Sequence, residues 1–257
     1  MKHTSNKVKN YYEEWTEQYL DSFGNIFQAL LTENPEDLIR YIGETIGIKD
    51  GMNLLDAGCG VCGPASILAK HYNISIDAIT ISSKQVKYSN KLLMEKRLQK
   101  RVKVLEGDFH NLEHYYSRGS FDVIYYLESL SHSHDPEKAI ISASNIVKLG
   151  GKIYIKDLFR GPDVPSDLTI NDYPINSIND SFCLKIRKVG EILDLLGHCG
   201  FKLIFCRRPQ VKENFDRGNS FTAKHNFKLL KDQKGPWVDE GLVFLNWLEI
   251  LAYKHYN

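Results

Sequence analysis

Long apolar runs, surplus charge and a disulfide pattern are all missing from this sequence of 257 residues. No apolar run reaches the roughly 18 residues that a membrane-spanning helix needs, so we expect no membrane insertion. The formal net charge is only +1, which gives no electrostatic footprint for binding nucleic acid. These absences favour a protein whose partner is a small molecule.

The cysteines and the first residues indicate the compartment. Five cysteines, an odd number, argue against a disulfide framework and for a reducing cytosol. Residues 1–7 (MKHTSNK) lead into no apolar segment of a secretory signal, so we expect a cytoplasmic location. The length suffices for a single domain over residues 1–257 with its own core. A homo-oligomer is an open alternative.

Strand-like and helix-like segments alternate from Met52 to about Phe205. This order predicts a doubly wound α/β fold, in which a mostly parallel sheet carries helices on both faces. We expect residues 1–48 to form an N-terminal helical lid and residues 49–158 the cofactor-binding core. The connections 159–186 and 208–244 are predicted to be cap insertions, because loops this long in a compact domain are usually functional. Helices are predicted over 6–47, 83–100, 136–148 and 188–199, a sixth strand over 201–206, and an antiparallel strand over 247–253 that closes the sheet.

A glycine-rich loop follows the first predicted strand. Residues 52–55 (MNLL) read as a buried strand, and residues 56–64 (DAGCGVCGP) as a turn into a helix that begins near Pro64. Such a turn places backbone N–H groups and a helix N-terminus at the carboxyl end of a strand. Glycine there permits a backbone approach that a Cβ would block. The loop therefore predicts a ligand site.

Two classes of cofactor use a loop of this kind. The spacing Gly58-x-Gly60-x-x-Gly63 also fits the dinucleotide fingerprint, which expects an acid at the end of the second strand to hold a ribose hydroxyl. Here that strand ends at Thr80, and Asp77 has the opposite parity, so Asp77 should face elsewhere. The acid two residues before the first glycine suits an ammonium group instead. S-adenosyl-L-methionine carries one, besides its sulfonium.

Ordered motifs over residues 52–158 resemble those of class I methyltransferases. They lie at 54–65 (LLDAGCGVCGPA), 77–85 (DAITISSKQ), 106–109 (EGDF), 121–126 (FDVIYY) and 149–155 (LGGKIYI). The resemblance implies a seven-stranded sheet, S-adenosyl-L-methionine as the cofactor, and Asp108 as the acid for its adenine amine. The residues that it assigns to the cofactor are Tyr12, Tyr19, Asp56, Gly58, Cys59, Gly60, Thr80, Ile81, Ser82, Gln85, Asp108, Phe109 and Leu127.

Two further stretches resemble the branch of that family that methylates carbon atoms in the side chains of sterols. They are 10–24 (NYYEEWTEQYLDSFG) and 128–135 (ESLSHSHD), although Gln28 stands where that branch usually has a His. Sterol enzymes of the branch are substantially longer, so a smaller acceptor such as a prenyl chain or another terpenoid-like natural product is the better expectation. The branch implies C-methylation of an alkene through a carbocation.

Three side chains are the predicted catalytic residues: Glu128, His132 and Tyr12. Glu128 follows the fourth strand, where burial would raise its pKa and let it act as a base or as a counter-charge to the cation. Aromatic faces also stabilise cations. The aromatic candidates are Tyr11, Tyr12, Trp15, Tyr19, Tyr125, Tyr126 and Phe182. The alternative is an O- or N-methyltransferase of a small metabolite, in which His132 or His134 would be the base.

Other patterns have plainer interpretations. No metal is predicted, although His132, His134 and Asp135 could form a site with His110 or His114. Cys59-x-x-Cys62 lies inside the cofactor loop without a second such pair, which does not favour zinc. A non-catalytic cofactor-binding protein is a further alternative. Five residues could receive a diphosphate, although most of them more simply read as solvated surface charge: Lys156, Arg160, Lys185, Arg187 and Lys188.

Overall fold

A computed structural model describes residues 3–160, 173–214 and 245–256 of the protein. In these parts a seven-stranded sheet has helices on both faces. The strands are β1 (Asn53–Ala57), β2 (Ser75–Thr80), β3 (Val102–Glu106), β4 (Phe121–Leu127), β5 (Val147–Arg160), β6 (Phe201–Arg207) and β7 (Leu245–Lys254). The α-helices are α1 (Ser5–Phe23), α2 (Pro35–Ile46), α3 (Gly63–His71), α4 (Ser83–Glu95), α5 (Pro136–Ile146), α6 (Tyr173–Phe182) and α7 (Val189–His198).

The strand order is β3-β2-β1-β4-β5-β7-β6. Strands β1 to β5 are parallel to one another, whereas β7 runs antiparallel to both of its neighbours, β5 and β6. The final strand is therefore antiparallel as predicted, but it lies inside the sheet and β6 forms the edge. The order reverses between β1 and β4, and ligands of open α/β sheets bind at the carboxyl ends of strands at such a point.

Alternating side chains of the strands divide the core in two. Leu54 and Ile76 belong to the cluster that packs against α2 and α3, while Leu55 and Ile79 belong to the cluster under α5 and α7. The two-residue period of a strand sends neighbouring side chains to opposite faces. Burial on both faces explains why these strands read as nearly continuous apolar runs.

Several predicted boundaries were wrong. Helix α4 ends at Glu95 rather than residue 100, because Arg97 takes a positive φ of 58° and Leu98 N–H bonds back to Leu93. Helix α5 ends at Ile146 rather than 148, since Val147 pairs with Phe121 as the first residue of β5.

The N-terminal segment is two helices rather than one helical region. Helix α1 ends before Gly24, which has a φ of 64°, and α2 begins after the Asn34 cap with Pro35 in its first turn. Residues 24–34 between them form a connection, which we call the N-terminal loop. Of the predicted caps, residues 161–172 and 215–244 lie outside the described residues. Within the described ranges, no helix has the length and apolar character to cross a membrane.

Candidate active site

The glycine loop after β1 is shaped by the protein around it. A Cβ on Gly58 would lie 2.5 Å from the Cβ of Ser129, and one on Gly63 would lie 1.7 Å from the backbone oxygen of Asn25. Gly58 also has a φ of 93°, a conformation that favours glycine. These glycines therefore let β4 and the N-terminal loop close against the cofactor loop, a role that the sequence interpretation did not foresee.

A cavity with about 780 Å³ of empty space opens at the carboxyl ends of β1, β2, β3 and β4. It is bounded on its other side by α1 and the N-terminal loop. Its lining contains thirteen of the predicted site residues: Tyr12, Asp56, Gly58, Cys59, Gly60, Thr80, Ile81, Gln85, Asp108, Phe109, Leu127, Glu128 and His132. The sequence did not predict the lining residues Ser5, Val8, Phe27, Gln28, Pro64, Gly107, His110 and Ser129.

Two buried polar atoms in the half of the cavity beside β1 and β2 have no hydrogen-bond partner among the described residues. One is Asp56 Oδ2; burial raises the pKa of Asp56 to about 7, against the effect of the neighbouring Tyr125 hydroxyl, which itself makes no hydrogen bond of normal geometry among the described residues. The other is Gln85 Nε2, because Thr80 Oγ1 donates to the other amide atom, Oε1, at 2.5 Å. A buried group without a partner costs free energy, so a ligand with an ammonium group and with oxygen acceptors fits these residues. Asp77 is not part of the lining, as predicted.

Asp108 follows β3 and is held from two sides. One carboxylate oxygen accepts from His110 Nδ1 at 2.5 Å and the other from Ser5 Oγ at 2.7 Å. Burial opposes ionisation of Asp108, but the hydrogen bonds from His110 and Ser5 outweigh it and lower the pKa of this carboxyl. Asp108 is thus a fixed anion at the third strand end.

Glu128 is part of a buried ion pair. It has a positive φ of 53° just after β4, and its carboxylate accepts from Lys156 Nζ and, at 2.7 Å, from Ala29 N–H. Lys156 is fully buried and also donates to Gln28 Oε1 at 2.8 Å and to the Leu30 backbone oxygen at 3.3 Å. Burial raises the pKa of Glu128, against the effect of the Lys156 ammonium. The pair therefore ties the N-terminal loop to two strand ends.

His132 forms a hydrogen-bonded pair with Tyr12. Its Nδ1 lies 2.9 Å from the backbone oxygen of Cys183, which can only accept, so Nδ1 carries the proton. Nε2 is then an acceptor, and the Tyr12 hydroxyl donates to it at 2.7 Å. Burial lowers the pKa of His132 to about 4, which keeps the imidazole neutral. The cavity thus has an uncharged base beside a phenol.

Asp157 is a buried residue that the sequence interpretation missed. Its oxygens accept from the N–H groups of Ser131 and Leu158 at 2.9 and 2.8 Å, and burial raises its pKa to about 6. The first of these bonds fixes the short 3-10 helix Leu130–His132 that carries the imidazole. An acid near the end of the fifth strand was the signal that could have found it.

Helix α1 borders the cavity and is attached to the sheet side of the site through its first residue and through its middle. Glu13 accepts from Ser82 Oγ at 2.9 Å and from Lys84 N–H at 3.2 Å, at the N-terminus of α4. Lys9 Nζ pairs with Glu106 Oε1 at 2.6 Å, in addition to the hydrogen bond from Ser5 to Asp108. This is the position that a lid over the cofactor would occupy.

Several predicted residues lie outside the cavity lining. Tyr19 packs behind Tyr12 with their ring centroids 5.7 Å apart, and Ser82 caps α4. Of the aromatic candidates, Tyr12 alone is part of the lining. The interpretation of Lys156 as a solvated surface charge or a diphosphate ligand was wrong, because this side chain is buried against Glu128.

The candidate metal ligands have other partners. Asp135 caps α5 by accepting from Lys138 N–H, and His110 bonds to Asp108. Within residues 3–160, 173–214 and 245–256, no group of three or more His, Cys, Asp or Glu side chains is arranged to hold a metal ion. Cys59 and Cys62 are free thiols.

Sequence comparisons identify proteins to which this one is similar. Residues 55–155 match the family model described as a methyltransferase domain. Sterol 24-C-methyltransferase erg6 of Aspergillus fumigatus is 24% identical over 211 residues, which cover 77% of this protein but only 54% of that one. O-methyltransferase cnsE of Penicillium expansum is 25% identical over 244 residues, 89% of this protein and 86% of that one. The sequence thus spans about half of the sterol enzyme and most of the O-methyltransferase.

Solved structures share the fold over nearly the whole length. Geranyl diphosphate C-methyltransferase from Streptomyces coelicolor aligns with a TM-score of 0.77 at 14% identity, over 99% of both proteins. The [4+2]-cyclase SpnF aligns with a TM-score of 0.79 at 21% identity, over 99% of this protein and 98% of that one. Residues 55–155 therefore form a methyltransferase domain within a sheet that has the class I methyltransferase fold, and the predictions of the fold, the enzyme class and the cofactor are confirmed. The fold alone does not fix the reaction, as the cyclase illustrates.

Proposed function

We propose that this protein transfers a methyl group from S-adenosylmethionine to an oxygen atom of a small, mostly apolar acceptor. The observation that carries the proposal is the Tyr12–His132 pair, since it gives the cavity a neutral base with its lone pair turned to a hydroxyl. The match to an O-methyltransferase over most of both proteins supports the same chemistry.

The cofactor would be held at the ends of the first three strands. Asp56 supplies a carboxylate for the ammonium group, Gln85 an amide donor for an oxygen, and Asp108 a fixed anion for the adenine amine. When bound, the cofactor supplies an electrophilic methyl group on a sulfonium. Phe109 and Leu127 exclude water from the same part of the cavity.

The protein's own residues would move one proton. The Tyr12 oxygen keeps lone pairs that can accept the hydroxyl proton of the acceptor, while the phenol proton passes to His132 Nε2. Cys183 O holds the opposite ring nitrogen, and Asp157 holds the backbone of the turn. A positioned proton acceptor is typically worth up to 10²–10⁴-fold in rate, and most when its pKa lies near the working pH, whereas the pKa of His132, about 4 in the ligand-free protein, lies below it.

The second candidate is C-methylation of an alkene, which the sequence resemblance implied. Glu128 and the rings of Tyr12 and Phe27 border the cavity and would face a carbocation. The similarity to a sterol C-methyltransferase and the geranyl diphosphate C-methyltransferase fold favour it. However, the Lys156 ammonium already neutralises Glu128, which weakens its use as a counter-charge or base.

Incubation with carbon-13 methyl-labelled cofactor tests the proposal. The acceptor panel contains phenols, prenyl alcohols, prenyl diphosphates and a sterol. We expect the label on oxygen of a phenol or alcohol. Label on carbon of a prenyl group would replace the proposal with the second candidate, and binding of cofactor without any transfer would favour a non-catalytic protein.

A further inference from the structure

Gln28 lies in the N-terminal loop and is only 2% exposed, yet it lines the cavity. It is one of the residues that the sequence interpretation did not assign to the site. A buried amide needs partners for both of its polar ends. The two ends of Gln28 differ sharply in this respect.

The orientation of the Gln28 amide follows from its neighbour. Lys156 Nζ has only hydrogens to offer, so the amide atom 2.8 Å from it must be the oxygen, Oε1. The nitrogen, Nε2, is then fixed at the other end. Nε2 is buried and has no hydrogen-bond partner among the described residues.

Lys156 cannot easily release this amide. The same ammonium bonds to Glu128 and to the Leu30 backbone oxygen, so all three of its hydrogens have acceptors. A flip of the Gln28 amide would turn its N–H groups toward a cation and leave that cation short of an acceptor. The free donor is therefore a built feature of the cavity.

Gln85 shows the same arrangement in the other half of the cavity. Thr80 donates to its Oε1, and its Nε2 is buried without a partner among the described residues. Gln85 follows the second strand beside Thr80, within the cofactor motif, whereas Gln28 shares Lys156 with Glu128, the residue that follows the fourth strand. The two amides thus mark two different parts of the bound reactants.

We propose that Gln28 is a specificity-determining residue whose Nε2 donates a hydrogen bond to an oxygen of the methyl acceptor. The oxygen would be a carbonyl, carboxylate or ether, near but distinct from the atom that is methylated. This inference rests on the proposed function for the identity of the acceptor side. The cofactor carboxylate offers the same chemistry, so the test separates the two sources.

The experiment uses the full-length protein and measures binding by calorimetry. The first arm titrates S-adenosylhomocysteine. The second arm, at saturating S-adenosylhomocysteine, titrates pairs of probes that differ in one oxygen: para-hydroxyacetophenone with para-isopropylphenol, and geranylacetone with the hydrocarbon in which a methylene replaces its carbonyl. The variants are Gln28→Met, which keeps the length and removes the donor, and Gln28→Glu, which keeps an acceptor for Lys156. Gln85→Met is the matched control.

We expect the wild-type protein to bind the oxygen-bearing probe of at least one pair about tenfold more tightly than its carbon isostere, the scale of one net hydrogen bond. Gln28→Met and Gln28→Glu should both lose this preference while their affinity for S-adenosylhomocysteine stays within about twofold of wild type. Gln85→Met should bind S-adenosylhomocysteine more weakly and keep the preference for the oxygen-bearing probe. Should Gln28→Met fail to fold, the Gln28→Glu variant carries the same test.

Two results would overturn the inference. One is weaker S-adenosylhomocysteine binding in the Gln28 variants with probe preference unchanged, which would assign Gln28 to the cofactor. The other is that wild type and variants show the same preference within every pair of probes, or no preference at all. Failure of the proposed function looks different: Gln28-dependent probe binding persists although no methyl transfer occurs.

Discussion

The two halves of the cavity differ in how a buried carboxyl group is partnered, although each half keeps a buried amide nitrogen, of Gln85 or of Gln28, without a partner among the described residues. The cofactor half comes from the ends of β1, β2 and β3, and its Asp56 Oδ2 has no hydrogen-bond partner among the described residues. The acceptor half joins β4 and β5 to the N-terminal loop, and its charges Glu128 and Lys156 neutralise each other. The Asp56 carboxyl is thus available to a charged cofactor. The paired Glu128 and Lys156 instead hold the N-terminal loop in place beside an apolar acceptor.

Removing one member of the buried pair should produce the largest effect on stability. Lys156→Met leaves Glu128 buried without its cation, so we expect the free energy of unfolding to fall by about 3–5 kcal/mol. Urea denaturation measures it. The double variant Lys156→Met with Glu128→Gln should lose clearly less. The matched control is Lys148→Met, which breaks the partly exposed pair with Asp122 and should cost less than about 1 kcal/mol.

Additive losses in the double variant would contradict the description of the acceptor half, because independent residues add and a coupled pair does not.

The next prediction compares the two candidate bases. His132→Gln removes the basic Nε2, so we expect kcat to fall by about 10²–10⁴-fold with little change in S-adenosylhomocysteine affinity. Glu128→Gln should lower kcat less, because its role is to hold the N-terminal loop. Steady-state kinetics on the acceptor found with the labelled cofactor, with calorimetry as the binding control, measure both. The opposite ranking would support C-methylation with Glu128 as its key side chain.

Cofactor affinity should depend on pH through Asp56. Burial raises its pKa to about 7 in the ligand-free protein, so below that pH the carboxyl is protonated and cannot attract an ammonium group. We expect the Kd of S-adenosylhomocysteine to rise up to about tenfold per pH unit below this pKa. Asp56→Asn should bind more weakly and lose this dependence. An unchanged slope in Asp56→Asn would assign the titration to another group.

The pH dependence of the stability of the ligand-free protein tests the direction of the Asp56 pKa shift. A carboxyl whose folded-state pKa is raised to about 7 contributes its full stability below its ordinary pKa and loses it as the pH rises from that value to about 7. Wild type should therefore lose stability relative to Asp56→Asn between about pH 4 and 7 and change little above about pH 8, as thermal unfolding at several pH values would show.

The smallest predicted effect concerns the attachment of helix α1. Glu13→Gln keeps the shape but weakens the bonds to Ser82 and to the N-terminus of α4. Because these contacts are only partly buried, we expect the KM for the cofactor to rise only severalfold and the sheet to be unaffected. Glu14→Gln, one residue further along the helix, is the matched control. Deleting residues 1–24 should abolish turnover; undiminished activity in that truncation would reduce α1 to ordinary packing.

The sequence predicted the cofactor half better than the acceptor half. The glycine loop, Thr80 and Asp108 are parts of short motifs whose spacing reflects strand ends, so local patterns were enough. Glu128 was located from its motif, but its partner Lys156 is 28 residues away and meets it only through the pairing of β4 with β5. Gln28 depends on the same contact. No local pattern encodes a pairing between two strands and a distant loop.

Helix boundaries show the same limit on a smaller scale. The predicted helices extended past Glu95 and Ile146, but the left-handed Arg97 and the pairing of Val147 with Phe121 end both helices early. The single helical region predicted over 6–47 failed for a related reason. The N-terminal loop leaves the helical conformation in order to reach Lys156 and the cofactor loop.

The position of a transferred methyl group tests the central claim most directly. Carbon-13 methyl-labelled S-adenosylmethionine is turned over with the acceptor panel, and the product is examined by NMR for the atom bonded to the label. We predict an oxygen-bound methyl group whose formation is lost in His132→Gln. A carbon-bound methyl group whose formation survives in His132→Gln would contradict the account.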